Sequence, residues 1–247
     1  MKKYAFTLAE VLITLVIIGV IAALTIPNLM KHYKKQEIET MLKQNYNLVQ
    51  NAFTLARAEY GDPSGWDKIN QPNMRLEGRA FFEKYLIRYM KVDKKAQTLR
   101  EIGYRTPIYY MNGTVFRSLD DSNNTKYVLS NGSVITDIGS WTYENSNDES
   151  IAYVRLIDID LNGSKGPNTK AKDIFRYVIP LDGSGNVGFT WFNFNSSTGT
   201  FTYWSNLKRE AVLNYCKGND VTMTPIFCGK LIQMNGWKIP DDYPYKF

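Results

Sequence analysis

The chain has 247 residues, 44% of them hydrophobic and 22% charged, with 30 basic against 24 acidic side chains and a net charge of +6. That length suits one domain with an appendage, and the basic charge is spread along the sequence rather than clustered as a nucleic-acid face requires, the one short run being His32 to Lys35. A single histidine, His32, and two cysteines, Cys216 and Cys228, exclude multi-histidine metal centres and leave a Ser-His or Cys-His hydrolase only His32, a stem residue, as base.

Met1-Lys2-Lys3-Tyr4 is a short basic start, and residues 6–26 then hold one charge, Glu10. At about 1.5 Å per residue those 21 positions make roughly 30 Å of helix, enough to cross a bilayer core. An ordinary secretory signal ends in a small-x-small cleavage site, whereas Pro27-Asn28-Leu29-Met30 follows here. A plain membrane anchor is a second reading, but it leaves Glu10 unexplained, because a carboxylate inside lipid is costly and calls for a partner.

The stretch "AFTLAEVLITLVIIGVIAALTIPNL", residues 5–29, resembles the amino terminus of type IV prepilins and of the pseudopilins of type II secretion. The resemblance implies cleavage between Ala5 and Phe6, N-methylation of Phe6, and a Glu four residues on, which is Glu10. Gly19 and Pro27 stand where the family often carries Gly and Pro. Ala5 departs from the pattern, which has Gly before the cut. The resemblance also supplies a partner for Glu10: cleavage frees an amine at Phe6, and in a medium of low dielectric constant the two opposite charges attract strongly. If Glu10 meets Phe6 of a neighbouring subunit, the pair sets axial register on assembly. The alternative is a Glu that reaches the headgroups at the start of the helix and benefits from the positive helix end. The partners implied are other pilins or pseudopilins in a homo- or hetero-polymer, a prepilin peptidase, inner-membrane assembly machinery and membrane lipid; nucleic acid is not expected. Lys2 and Lys3 on one side, and Lys31, Lys34 and Lys35 on the other, leave charge counting divided on orientation. The cysteines and the resemblance place the N-terminus in the cytoplasm and the C-terminal domain outside.

After Pro27 the apolar residues Ile38, Met41, Leu42, Val49, Ala52, Phe53, Ala56 and Tyr60 recur at three- and four-residue steps, one stripe of an amphipathic helix. Gly61-Asp62-Pro63 stops it. The expectation is one helix over residues 6–60, about 80 Å long, free to bend at Gly19 or Pro27. The chain divides into a leader 1–5, a transmembrane and polymerisation helix 6–30, a stem 31–60 and a head 61–247.

In the head, residues 76–90 predict a second helix. Strand signals follow in "TPIYYMNGTVFRSL", "KYVLSNGSVITDI", "SIAYVRLIDIDL", "DIFRYVIPL", "NVGFTWFNF" and "TGTFTYWS", with Asn131-Gly132 fitting a two-residue hairpin turn. A short helix is predicted over 207–215. With 17 Tyr and 12 Phe, the composition fits a β-rich extracellular body. The fold class is α+β: a long N-terminal transmembrane and stem helix packed on an antiparallel sheet, pilin-like. No nucleotide-binding glycine loop, nucleophile elbow or zinc-protease helix occurs.

Asp158, Asp160 and Asn162 alternate ahead of Gly163, which copies the first half of a calcium loop; Thr169 occupies the twelfth position where a bidentate acid belongs, and Asp173 is the substitute. Calcium is therefore the one cofactor with a ligand set here, Asp158, Asp160, Asn162 and Asp173, and none is required by the rest of the chain. The competing reading is a turn in which Asp and Asn bond their own backbone. Type IV pilins often close a C-terminal loop with a disulfide, and the resemblance assigns that role to Cys216 and Cys228. The closure contributes about 3 kcal/mol in an oxidising compartment; two buried thiols are the alternative. The tail "GWKIPDDYPYKF" is expected to pack back as a strap.

The function implied is a structural filament subunit with no catalytic residues. The alternative is a minor or tip subunit whose head binds glycan or DNA, with "YWSNLKR" at 203–209 as the local hint. A membrane-anchored enzyme would need two carboxylates at a catalytic separation, which spacing alone does not supply.

Overall fold

The computed structural model describes residues 7–67, 74–144, 150–181, 187–195, 200–204, 206–218, 220 and 222–246. Helix α1 runs from Leu8 to Tyr60. The chain forms two compact units, one up to Glu37 and one from Ile38 to Lys246.

In the first unit, residues from Leu8 on are helical. Gly19 and Pro27 both lie inside the helix, which is assigned without a break. Pro27 has no N–H for the carbonyl four residues earlier, while the Thr25 hydroxyl donates to the Ile21 carbonyl at 2.8 Å. The apolar side chains are uncovered: Leu8 is 81% exposed, and Leu24 and Leu29 are each 69% exposed.

In the second unit, α1 buries Ile38, Leu42, Val49, Ala52, Phe53 and Ala56, six of the eight positions on the predicted stripe. Two polar residues share that face. Asn45 is fully buried and donates to Ser133 Oγ at 2.8 Å. Glu39 accepts from the Ile239 N–H at 2.9 Å and from Lys238 Nζ at 2.8 Å. Such contacts fix register, because each buried polar group left alone would cost about 1–3 kcal/mol. Gly61, at φ +79°, ends the helix by donating its N–H to the Arg57 carbonyl.

Five antiparallel strands form the sheet: β1 (Val92–Ala96), β4 (Lys126–Leu129), β5 (Val134–Glu144), β6 (Ser150–Asp160) and β7 (Ile174–Pro180), in the order β1-β4-β5-β6-β7. β2 (Ile108–Tyr109) and β3 (Val115–Arg117) make a separate hairpin, and β8 (Phe192–Asn195) and β9 (Thr200–Tyr203) another. The predicted second helix is shorter than expected: α2 spans Met74–Tyr85 and a 3-10 turn takes Ile87–Tyr89. α3 spans Arg209–Lys217 and α4 spans Thr224–Met234.

Strand alternation gives the sheet two unlike faces. Ile135, Ile159 and Phe175 share a register row, as do Ile157 and Tyr177. Tyr177 reaches the Leu42 carbonyl of α1, and Phe82 of α2 lies 6.1 Å from the Tyr127 ring. On the other face Val134 and Ile174 join Leu99, Tyr104 and Ile108 in a cluster flanked by Phe116. Asp137, Asp158 and Arg176 share a row there.

Helix α4 meets β7, and its Gly229 closely approaches Phe189 in the segment that follows β7. A Cβ there would lie 2.5 Å from Phe189 Cε1, and Phe189 is itself held between Tyr177 and Tyr46. Gly229→Ala is expected to lower stability by about 1–3 kcal/mol through overpacking, outweighing the gain in helix propensity of about 1 kcal/mol. Thermal unfolding checks this, and adding Phe189→Leu should return part of the loss.

Candidate functional site

At the amino end, Thr7 and Glu10 close a reciprocal box. Glu10 Oε2 accepts from the Thr7 N–H at 2.8 Å and from the Thr7 hydroxyl at 2.8 Å, while the Glu10 N–H donates to Thr7 Oγ1 at 3.3 Å. This is the Thr-x-x-Glu capping box, in which each side chain satisfies a backbone donor that the helix start leaves free. Glu10 therefore has a partner inside its own chain. Ala5 and Phe6 lie outside the described residues. Around Gly19 a side chain would meet nothing within 4 Å, so any close approach at this glycine comes from outside the chain.

The expected calcium ligands separate. Asp158 is 1% exposed, and both of its oxygens accept from Arg176 at 2.8 Å while Oδ2 also contacts Lys170 Nζ. Lys170 lies 3.8 Å above the Phe116 ring centroid. Burial works to raise the Asp158 pKa, yet Arg176 and Lys170 hold it well below the usual carboxylate range. Burial, helped by Arg176 and opposed by Asp158, pushes Lys170 down to about 8. Asp158 thus belongs to an internal charge cluster, and the ligand set as first drawn loses it, because β7 and the loop before it bring two cations to it.

Asp160 and Asp173 lie together instead. Asp160 Oδ2 accepts from the Tyr104 hydroxyl at 2.9 Å, and Oδ1 from the Asn162 N–H at 3.3 Å. Asp173 accepts from the Asn168 N–H at 2.8 Å and the Thr169 N–H at 2.7 Å. Burial first, and then the neighbouring Asp173 charge, raise the Asp160 carboxyl well above its ordinary value. Burial raises Asp173 to about 6 against the pull of its backbone donors. Among the described residues, no group of three or more His, Cys, Asp and Glu side chains gathers as a metal site.

Cys216 and Cys228 are joined, 4.7 Å apart at Cα. The bridge ties α3 to α4 rather than closing an irregular loop. In the 203–209 segment, Trp204 packs on Tyr215 and Phe227, and Arg209 is taken by Asp242 at 2.6 Å. Trp204 and Arg209 of that segment are therefore engaged within the chain. Sequence reasoning missed Thr7, although Thr-x-x-Glu is itself the signal, and it missed Lys170 and Arg176, for which spacing gives no signal.

Residues 28–247 match a family described as "Family of unknown function (DUF6613)", and residues 1–26 match the "Prokaryotic N-terminal methylation motif". No curated protein and no solved structure matches the chain.

Asp158→Ala would leave Arg176 and Lys170 as buried cations without their carboxylate, and is expected to cost about 3–5 kcal/mol. Lys170→Met keeps the Arg176–Asp158 fork and should cost about 1 kcal/mol or less. Denaturant unfolding of both variants checks this; equal losses would mean that the fork is not what holds the cluster.

Proposed function

As a member of the DUF6613 family that opens with the methylation motif of prepilins, the chain is a type IV pilin-like or pseudopilin-type subunit, and we propose that it is cut before Phe6 and polymerises through its N-terminal helix into a membrane-anchored filament. The observation that carries this reading is the uncovered hydrocarbon of α1. Val11, Leu12, Ile13, Leu15, Val16, Ile17 and Ile18 are all exposed, in a helix long and apolar enough to cross a membrane. At roughly 25 cal/mol per Å² of apolar surface, such a face has a strong drive to enter lipid before assembly and to meet like helices after it.

In this proposal Glu10 exchanges partners. In the separate subunit its carboxylate is held by Thr7. On assembly the amine freed at Phe6 of a neighbour offers a full opposite charge in place of a hydroxyl, and in a medium of low dielectric constant two opposite charges attract strongly. Only one axial offset between subunits brings the two groups together, so the exchange selects register. The prepilin peptidase and the inner-membrane assembly machinery are the partners for these steps, and the subunit itself supplies no catalytic chemistry. The head lies outside the cytoplasm, a placement supported by the Cys216–Cys228 bridge, since disulfides persist in oxidising compartments.

Two measurements test this. Mass spectrometry of the protein from its native host is expected to show N-methylated Phe6 as the first residue; a functional protein that retains Met1 would overturn the cleavage step. Glu10→Val is expected to insert in the membrane normally but to assemble at least about tenfold less filament, the factor that corresponds to 1.4 kcal/mol. Undiminished filament in that variant would sink the register argument.

A further inference from the structure

Five Asn-x-Ser/Thr triplets occur in the chain: Asn112-Gly113-Thr114, Asn123-Asn124-Thr125, Asn131-Gly132-Ser133, Asn162-Gly163-Ser164 and Asn195-Ser196-Ser197. This is the acceptor pattern for a sugar on the Asn side-chain amide, used where the triplet lies at the surface of an exported protein. The last of the five extends beyond the described residues. The structure sorts the other four, because an enzyme that reads the pattern has to reach both the amide and the hydroxyl two residues on.

Three of the four withhold one of those groups. Thr125 is 4% exposed, and Ser133 is fully buried with its Oγ donating to the Leu161 carbonyl at 3.1 Å. Asn162 is half-buried, and its Nδ2 donates to the Gly166 carbonyl at 3.0 Å. In the fourth, Asn112, Gly113 and Thr114 are all exposed. They form the tip of the β2–β3 hairpin. The Tyr110 N–H donates to the Thr114 carbonyl at 2.8 Å, and the Gly113 N–H to the Tyr110 carbonyl at 3.0 Å. Gly113 is at φ +85°, and a Cβ built there meets nothing within 4 Å, so the tip is open. The base of the hairpin is anchored: Tyr109 exchanges backbone bonds with Asn168 and Lys170, and Arg117 pairs with Asp137 at 2.7 Å.

The contacts within the triplet suit the same chemistry. Asn112 Oδ1 accepts from the Thr114 N–H at 3.0 Å and from the Thr114 hydroxyl at 2.7 Å. An amide nitrogen is a poor nucleophile because its lone pair is shared with the carbonyl. Donors on the oxygen stabilise the negative charge left when the nitrogen gives up a proton, which makes that proton easier to take. Among the described residues none accepts from Asn112 Nδ2, so the reacting atom is not spent elsewhere. Val115, the next residue, is 53% exposed, an apolar side chain that a sugar on Asn112 would help to cover.

We propose that Asn112 is an acceptor for N-linked glycosylation, with a sugar carried on a lipid pyrophosphate as the donor and a membrane-bound oligosaccharide transferase as the partner. Asn112 Nδ2 forms a bond to C1 of the sugar. The bond from C1 to the pyrophosphate oxygen breaks, and the lipid pyrophosphate leaves with the electron pair. The amide gives one of its two protons to a base of the transferase, and nothing is oxidised or reduced. This inference rests on the reading that places the head outside the cytoplasm.

The test digests the full chain from its native host with trypsin, with free thiols blocked and no reductant present. The peptide 106–117, bounded by Arg105 and Arg117, is expected to carry the added mass of at least one sugar. Asn112→Gln and Thr114→Val should each lose the addition, and Thr114→Ser, which keeps the hydroxyl, should retain it. An addition that persists in Asn112→Gln overturns the proposal, as does a peptide changed only by hydrolysis of the Asn112 amide. The same digest reports whether Cys216 and Cys228 are bridged. An unmodified 106–117 peptide from a bridged chain overturns the acceptor alone. An unmodified peptide from a chain with free thiols overturns the placement of the head, and the acceptor with it. The peptide from the unaltered chain decides even if a variant fails to fold.

Discussion

Helix α1 carries more apolar surface than its own chain covers, and that imbalance governs how the rest is built. Among the described residues, the leucines, isoleucines and valines of its first part, up to Glu37, are exposed. Its last part, from Ile38 to Tyr60, buries one stripe against the sheet unit. The two parts obey different solvents. In lipid the backbone must satisfy itself, which a helix does and which even Pro27 interrupts at a single bond. Against the sheet, packing and a few buried polar contacts take over, and Asn45 and Glu39 are the residues that make the fit particular rather than merely greasy.

The sheet unit shows the same economy in charge. Asp158, Arg176 and Lys170 are taken out of water together, so that each ion is answered. Replacing such a cluster with hydrocarbon is often no less stable. The cluster joins Asp158 of β6 to its register partner Arg176 of β7, and Lys170 lies over Phe116 of the hairpin. Asp160 and Asp173, a few residues away, are held instead by the Tyr104 hydroxyl and by peptide N–H groups, and the contrast between the two acid groups gives the turn its chemical character.

Much of this was legible beforehand where the signal is periodic. The stem stripe follows from a helical repeat and the strands over 150–161 and 173–181 from their β-forming composition, whereas the Asn131-Gly132 hairpin, expected as a two-residue turn, turns through three residues, 130–132, because Val128 pairs with Val134 and the Leu129 N–H donates to the Ser133 carbonyl. Helix α4 was not read, because "TPIFCGKLIQM" is apolar almost all round and is buried on most sides, which leaves no periodic polar face to recognise. β1 was missed for the opposite reason: "VDKKA" is an edge strand with charged, exposed residues. The Asp158 cluster joins residues 12 and 18 positions apart, and strand pairing, not spacing, decides such neighbours. The Thr7–Glu10 box is written in the sequence as Thr-x-x-Glu ahead of an apolar run.

The bond from the Ile239 N–H to Glu39 spans 200 positions of sequence, and this orders events in the life of the molecule. When Glu39 emerges from the ribosome, the residue that will receive its carboxylate has not been made. The strap is therefore among the last pieces to be set in place, after the whole of α1 has been made. The polar contact that fixes the stem's register thus waits on the far end of the chain, and any truncation of the strap would leave Glu39 without its backbone donor.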